Sequence, residues 1–174
     1  MTLIETDFDG LYLIKPQINL DSRGYFFRTF CKNEFNLILF NKEFVQFNHS
    51  HSNKSGTIRG LHFQKFPFEE TKLIRCVSGS IFDVVVDLRK ESKTYMKHYT
   101  IELNDQNNYS ILVPSGFAHG FQTLKDNSSL IYHHTEYYNP EYETGLRYND
   151  PKIGINWPLE LTEISERDSK HTLL

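Results

Sequence analysis

Ten short segments of strand character follow one another along this 174-residue chain, and turn signals separate most of them. They read "LYLIKPQI", "GYFFRTF", "EFVQFNH", "TIRGLHFQ", "TKLIRCV", "SIFDVVVDLR", "MKHYTIEL", "SILVPSG", "FAHGFQTL" and "SLIYHHTEYY", with "DSRG", "NKSG", "SGS" and "NDQNN" among the turns. Many short strands joined by turns bury their apolar faces only against one another, so the pattern restricts the chain to a sandwich, a barrel or a jelly roll. The 14 Phe and 10 Tyr suit such pleated, half-buried surfaces. Only "KNEFNLILF" and "LTEISERDSK" have helical character. In the second, Ser165 is a candidate N-cap with Asp168 three residues on. The expected class is all-β with a few short helices.

No Ser/Gly/Pro linker, low-complexity tract or internal repeat divides the chain, so one domain over residues 1–174 is expected. A net charge of −3 with 19 basic residues and no basic block lacks the electrostatic footprint of a nucleic-acid binder. The start "MTLIETDFDG" has neither a basic nor an apolar signal region, and no window approaches the ~18 apolar residues that cross a bilayer. Cys31 and Cys76 are too few for a disulfide framework. These features predict a cytoplasmic protein with reduced thiols and no membrane partner.

Period-2 alternation sorts the side chains into faces. In "SIFDVVVDLR" it puts Phe82, Val84, Val86 and Leu88 on a buried face and Asp83 and Asp87 on the opposite one. Gln46, Asn48 and Ser50 share one face of the next-to-polar strand "VQFNHS", with Val45 and Phe47 on the other. Either the amides are solvated over a Val45/Phe47 core face, or they line a polar lumen that holds a ligand. In "LIYHHTEYY", Leu130, Tyr132 and His134 share a face, and a Tyr there reads first as packing. Arg59 and His62 are an odd number of positions apart, so a regular strand sends them to opposite faces. Gly60 between them marks a candidate bulge that re-aims one of the two.

His62 is open to three readings: core residue, metal ligand or base. The stretch from Gly56 to Gly79 resembles the first cupin motif, and "NYSILVPSGFAHGFQT" resembles the second through Pro114, Gly116 and His119. Metal-binding cupins place two His and a Glu in the first motif; here Gln64 stands where the second imidazole would be. The residual set of His62, Glu69 and His119 would make a two-His, one-carboxylate site, in which an amide is a poor replacement for nitrogen. His49, His51, His133 and His134 read as solvated or core residues.

Beyond these motifs, "DSRGYFFRTF", "FVQFNHSHSNKSGTIRGLHFQ", "KLIRCVSGSIFDVVVDLR", "ILVPSGFAHGF", "YYNPEYETGLRYNDPKIGINWP" and "ISERDSKH" resemble the dTDP-4-dehydrorhamnose 3,5-epimerase family almost end to end. The resemblance implies a cupin-type jelly roll and an isomerase with no metal and no cofactor. It implies a nucleoside-diphosphate 4-keto-6-deoxyhexose as substrate, inverted at C3 and C5 through enolates. By that resemblance His62 matches the base, Asp168 the carboxylate that supports it, and Tyr132 the acid on the opposite face of the sugar. Lys72 and Arg59 match cations near the sugar oxygen and the diphosphate. Arg23, Phe26, Gln46, Asn48, His119 and Tyr138 match positions that contact substrate or shape the pocket. A homodimer formed by exchange of the N-terminal strand is implied as well.

Two positions depart from the family's pattern. Arg28 stands where that family usually has glutamate, a charge reversal near the nucleotide end of the site. It opens the alternatives of a CDP- or GDP-linked substrate, 4-keto heptoses included, and of a 3-only or 5-only epimerase. Glu70 stands where glutamine is usual and is expected to lower the cationic character around Lys72. A metal-dependent cupin isomerase is the more distant alternative.

Overall fold

The computed structural model describes residues 1–39 and 42–174. In chain order its elements are β1 (Thr2–Glu5), β2 (Tyr12–Lys15), β3 (Asn19–Asp21), β4 (Gly24–Phe26), α1 (Lys32–Leu39), β5 (Gln46–Ser52), β6 (Thr57–Gln64), β7 (Lys72–Ser78) and β8 (Ser80–Asp87). They continue with β9 (His98–Asn104), β10 (Ser110–Val113), β11 (Phe117–Thr123), β12 (Ser128–His134), β13 (Glu143–Gly145), β14 (Glu163–Ile164) and α2 (Glu166–Ser169). One sheet runs β1-β2-β10-β7-β12-β5; the other runs β13-β6-β11-β8-β9, with β14 added in parallel beside β6. β3 and β4 form a separate hairpin.

The two sheets pack face to face. Leu13, Ile74, Ile111 and Leu130 of the first meet Ile81, Val85, Leu103, Phe117 and Phe121 of the second in one core. Burying each such side chain contributes about 1.5–3 kcal/mol relative to exposure. The outer faces are covered too. α1 inserts Phe35 against Ile14, Leu73 and Leu112, and the chain after β13 lays Leu146, Ile153 and Trp157 over Leu61, Val84, Val86 and Ala118. The helical reading of "KNEFNLILF" holds as far as Leu39, and Phe40 lies outside the described residues.

The packing corrects the reading of β8 as a strand with one wet face: the second cover takes the Val84/Val86 face, while Asp83 and Asp87 share the inward face of Ile81 and Val85. Asp83 and Asp87 are 1 % and 0 % exposed, because β8 lies second from the edge with packing on both sides. Asp87 is compensated locally: burial alone would raise its carboxyl, but Arg89, Ser92 and Thr94 donate to it and hold it down at about 2. Asp83 serves the site described below.

The bulge expected at Gly60 is present. On β11, His119 pairs with His62 while Phe121 pairs with Arg59, so three steps of β6 oppose two of β11. Gly60 has φ +113°, and a Cβ there would meet Gly120 Cα at 2.6 Å, so only glycine fits. The extra residue turns Arg59 and His62 to the same cavity despite their odd spacing. No described helix is long and apolar enough to cross a membrane.

Candidate active site

Between the sheets, beyond the apolar core, opens a cavity of about 1000 Å³. It is lined from one side by β6, β11, β14 and α2, and from the other by β5, β7 and β12. Such a volume stands at the top of the ~300–1,000 Å³ range of small-molecule sites. The polar lumen is real. Gln46, Asn48 and Ser50 face it, while Val45 and Phe47 on the other side of the strand are 41 % and 67 % exposed, which excludes a Val45/Phe47 core face.

His62 reaches the cavity from β6. Its Nε2 lies 2.7 Å from Asp168 Oδ1. An ionised carboxylate only accepts, so Nε2 carries the proton and Nδ1, with no partner among the described residues, keeps its lone pair. Asp168 is supplied from the far end of the chain by α2. Ser165 caps that helix by accepting from the Asp168 amide at 3.0 Å, as its spacing predicted. The other carboxylate oxygen accepts from Gly60 N–H at 3.0 Å, so the bulge glycine also locks the carboxylate. Burial alone would raise the Asp168 carboxyl, but the His62 bond and charge, with the Gly60 and Ser165 bonds, outweigh it and hold it well below the ordinary range.

Tyr132 comes from β12, in the opposite sheet. Its hydroxyl is 3.2 Å from Ser50 Oγ, and its ring meets the edge of His119 at 6.1 Å. Burial pushes its phenol well up, more than the Ser50 bond draws it down, so the group stays protonated far beyond neutral pH. His119 is fixed by Asp83, Nε2 to Oδ2 at 2.7 Å. Lys72 at the start of β7 lies 3.2 Å from the His62 carbonyl oxygen and 3.0 Å from Glu70.

The remaining expected residues divide into two groups. Gln46, Asn48, Arg59, His119 and Tyr138 line the same cavity as His62, Tyr132 and Lys72. Arg59 is steadied by Ser52 Oγ at 3.0 Å and His51 O at 2.9 Å, and the Tyr138 hydroxyl donates to Glu143 at 2.8 Å. Arg23, Phe26 and Arg28 lie away from it on the N-terminal arm. Arg23 pairs with Asp21 at 2.6 Å, Phe26 is 72 % exposed, and Arg28 pairs with Glu34 at 2.8 Å. The charge reversal at Arg28 is thus taken up inside the chain.

Several site residues were not singled out from the sequence. Arg167 approaches His62 Nε2 at 3.1 Å and pairs with Glu143 at 2.6 Å; its position beside Asp168 in "SERDSK" was the available signal. Asp83 was read as solvated, and only a buried β8 reveals it. His134, read as solvated or core, corrects to a cavity residue bonded to Glu70 at 2.6 Å. Among the metal candidates, Glu69 is exposed and does not line the cavity, so His62, Glu69 and His119 do not converge. The described residues hold another group, His62, Asp168 and His171, with ligand atoms within 4.8 Å of one another. Arg167 lies beside two of the three, His62 and Asp168, so a second cation there would meet its charge.

Comparison with known proteins points to one family. A family model described as dTDP-4-dehydrorhamnose 3,5-epimerase matches residues 5–174. A protein of that name from Methanothermobacter thermautotrophicus is 45% identical over 168 residues, covering 95% of this chain and 90% of its own. The crystal structure of the Bacillus anthracis enzyme of that name, with TDP and PPi bound, superposes with a TM-score of 0.96 at 40% identity and covers 99% of both chains. A dTDP-6-deoxy-D-glucose-3,5-epimerase from Legionella pneumophila, in complex with dTDP-4-keto-L-rhamnose, gives a TM-score of 0.93 at 37% identity, covering 99% of this chain and 92% of that one.

Proposed function

This chain belongs to the dTDP-4-dehydrorhamnose 3,5-epimerase family, a family of isomerases, and we propose that it converts dTDP-4-dehydro-6-deoxy-D-glucose to dTDP-4-dehydro-L-rhamnose by inverting C3 and C5. The observation that carries this reading is the pair of proton-handling groups on opposing sheets: His62 backed by a buried carboxylate on β6, and a neutral phenol, Tyr132, on β12.

The C4 carbonyl acidifies the protons on C3 and C5. His62 takes each proton through its free imidazole nitrogen, and Asp168 stabilises the imidazolium that results. The electrons move into the carbonyl, giving an enolate whose oxygen Lys72 stabilises. Tyr132 then delivers a proton to the carbon from the other face, which inverts it; return by His62 would restore the starting configuration. Before the second centre reacts, the His62 imidazolium releases its proton to solvent and the Tyr132 phenolate takes one up, so both groups return to their starting forms. Arg59 binds the diphosphate, and Gln46, Asn48, His119 and Tyr138 shape the sugar pocket.

We further propose a homodimer in which the N-terminal arm crosses to the partner subunit. Leu20 and Phe26 of the β3–β4 hairpin are 79 % and 72 % exposed, and β5 is an open sheet edge carrying exposed Phe47. Exchange would cover these groups and bring Arg23, Phe26 and Arg28 to a cavity they do not reach in their own chain. The two free thiols fit a reducing cytoplasm, where nucleotide sugars are handled.

The test is incubation with enzymatically generated dTDP-4-keto-6-deoxyglucose in D2O, read by mass spectrometry and proton NMR. Deuterium at both C3 and C5 with inversion is the expected result. Exchange at one centre would restrict the enzyme to a monoepimerase, and none would remove the reading.

A further inference from the structure

Beside Tyr132 the cavity floor holds a charge cluster that the reaction uses only through Lys72. Lys72 and His134 are direct cross-strand partners in the β7–β12 register, so two basic side chains stand next to each other on one face. Both are nearly buried, with side chains 9 % and 11 % exposed. Glu70, also 9 % exposed, resolves the conflict by placing one carboxylate oxygen on each. Its Oε1 lies 3.0 Å from Lys72 Nζ and its Oε2 lies 2.6 Å from His134 Nδ1. Burial favours the neutral acid, but the His134 bond and the Lys72 charge outweigh it and keep the carboxylate ionised.

The bond directions extend the chain of constraint. A carboxylate accepts only, so His134 Nδ1 bears the proton. On the other side of the ring, His134 Nε2 lies 3.2 Å from Asn48 Nδ2, while Asn48 Oδ1 accepts from Gln46 Nε2 at 3.4 Å. An amide so oriented donates to Nε2 and leaves His134 satisfied in its Nδ1–H form. Each carboxylate oxygen of Glu70 therefore meets a donor held by a different strand, and the carboxylate has no freedom to follow a moving ammonium.

We infer that Glu70 is a positioning residue for the reaction: it pins the Lys72 ammonium beside the His62 carbonyl and at the cavity surface, and His134, oriented by Asn48, pins Glu70. The inference rests on the epimerase reading for what Lys72 does there. Without the anchor the four-carbon stem of Lys72 is free to swing toward other anions in the site, so the loss falls on the enolate step rather than on binding.

A double-mutant cycle tests this. Glu70→Ala, which removes both acceptor oxygens, is expected to lower the rate of C3 and C5 exchange about tenfold with KM changed less than about twofold. In a Lys72→Met background the same substitution is expected not to lower the rate further, because the group it positions is gone. Equal losses in both backgrounds, or no loss in the first, would overturn the inference. A second readout does not depend on turnover: the ordered Lys72 ammonium gives a 1H–15N cross-peak, identified by its absence in Lys72→Met. Its loss in Glu70→Ala is expected, and its persistence there overturns the positioning role even if the protein proves to act on no 4-keto sugar. Should Glu70→Ala not fold, His134→Gln loosens the same carboxylate from its other oxygen and is expected to give a smaller loss with the same dependence on Lys72.

Discussion

The two walls of the cavity prepare a proton carrier by opposite means. On the β6 wall, His62 is 26 % exposed and takes its hydrogen-bond partner from outside the strand: a carboxylate 106 positions along the chain, itself locked by a backbone amide and a helix cap. On the β12 wall, Tyr132 has no charged hydrogen-bond partner among the described residues, and its hydroxyl meets only Ser50. Burial first, with the Asp83 charge nearby, pushes the phenol further up and so keeps it a neutral acid. A base that must carry positive charge needs a fixed anion, whereas an acid that must stay protonated needs the charged form penalised. The difference explains why one wall recruits the end of the chain and the other is complete within a single sheet.

The comparison breaks most severely at His62. His62→Asn is expected to lower turnover by about 1000-fold or more with little change in melting temperature, since the ring is partly exposed and its loss empties no core; steady-state rates and calorimetry on one preparation check both parts. Asp168→Asn should cost less, roughly 100-fold in kcat, because the imidazole remains but loses its counter-charge. It should also change the response to acid. The Asp168 carboxyl titrates below its unfolded value, so its contribution to stability is complete above about pH 4 and is lost as pH falls through the lower folded value. Melting temperatures taken from pH 6 down to pH 2 should therefore fall less steeply in Asp168→Asn than in the parent. On the other wall Ser50→Ala is expected to be mild, within about fivefold in kcat, because burial rather than that single neutral hydrogen bond sets the state of Tyr132. A loss as large as that of Asp168→Asn would show that the two walls work alike.

How far this site could be read in advance depended on where its chemistry lies. β6 was legible to the residue, because "TIRGLHFQ" alternates, is flanked by turn signals and carries its glycine at the point of irregularity. The lumen face of β5 was legible as polar, and Ser165 as the cap that presents Asp168. Asp83 was not, since carboxylates that alternate with valines look solvated, and here both faces of β8 are covered and the carboxylates are on the one turned inward between the sheets. Glu163 and Ile164, read as part of the helical stretch "LTEISERDSK", form β14 instead, and the helix is confined to Glu166–Ser169; two residues carry no periodicity, and pairing with β6 alone makes them a strand. His134 and Glu70 lie 64 positions apart, and each is bland alone. Their meeting is fixed by the β7–β12 register, which local pattern does not encode.

The division of labour between the walls is tested most directly by following deuterium and configuration together in Tyr132→Phe and His62→Asn, each incubated with dTDP-4-keto-6-deoxyglucose in D2O. If His62 removes the protons and Tyr132 returns them, Tyr132→Phe retains deuterium incorporation without inversion, because His62 gives a solvent-exchanged proton back to the face it came from. His62→Asn then loses incorporation and inversion alike. Incorporation that survives in His62→Asn, or that vanishes together with inversion in Tyr132→Phe, would contradict the assignment of base and acid to the two sheets.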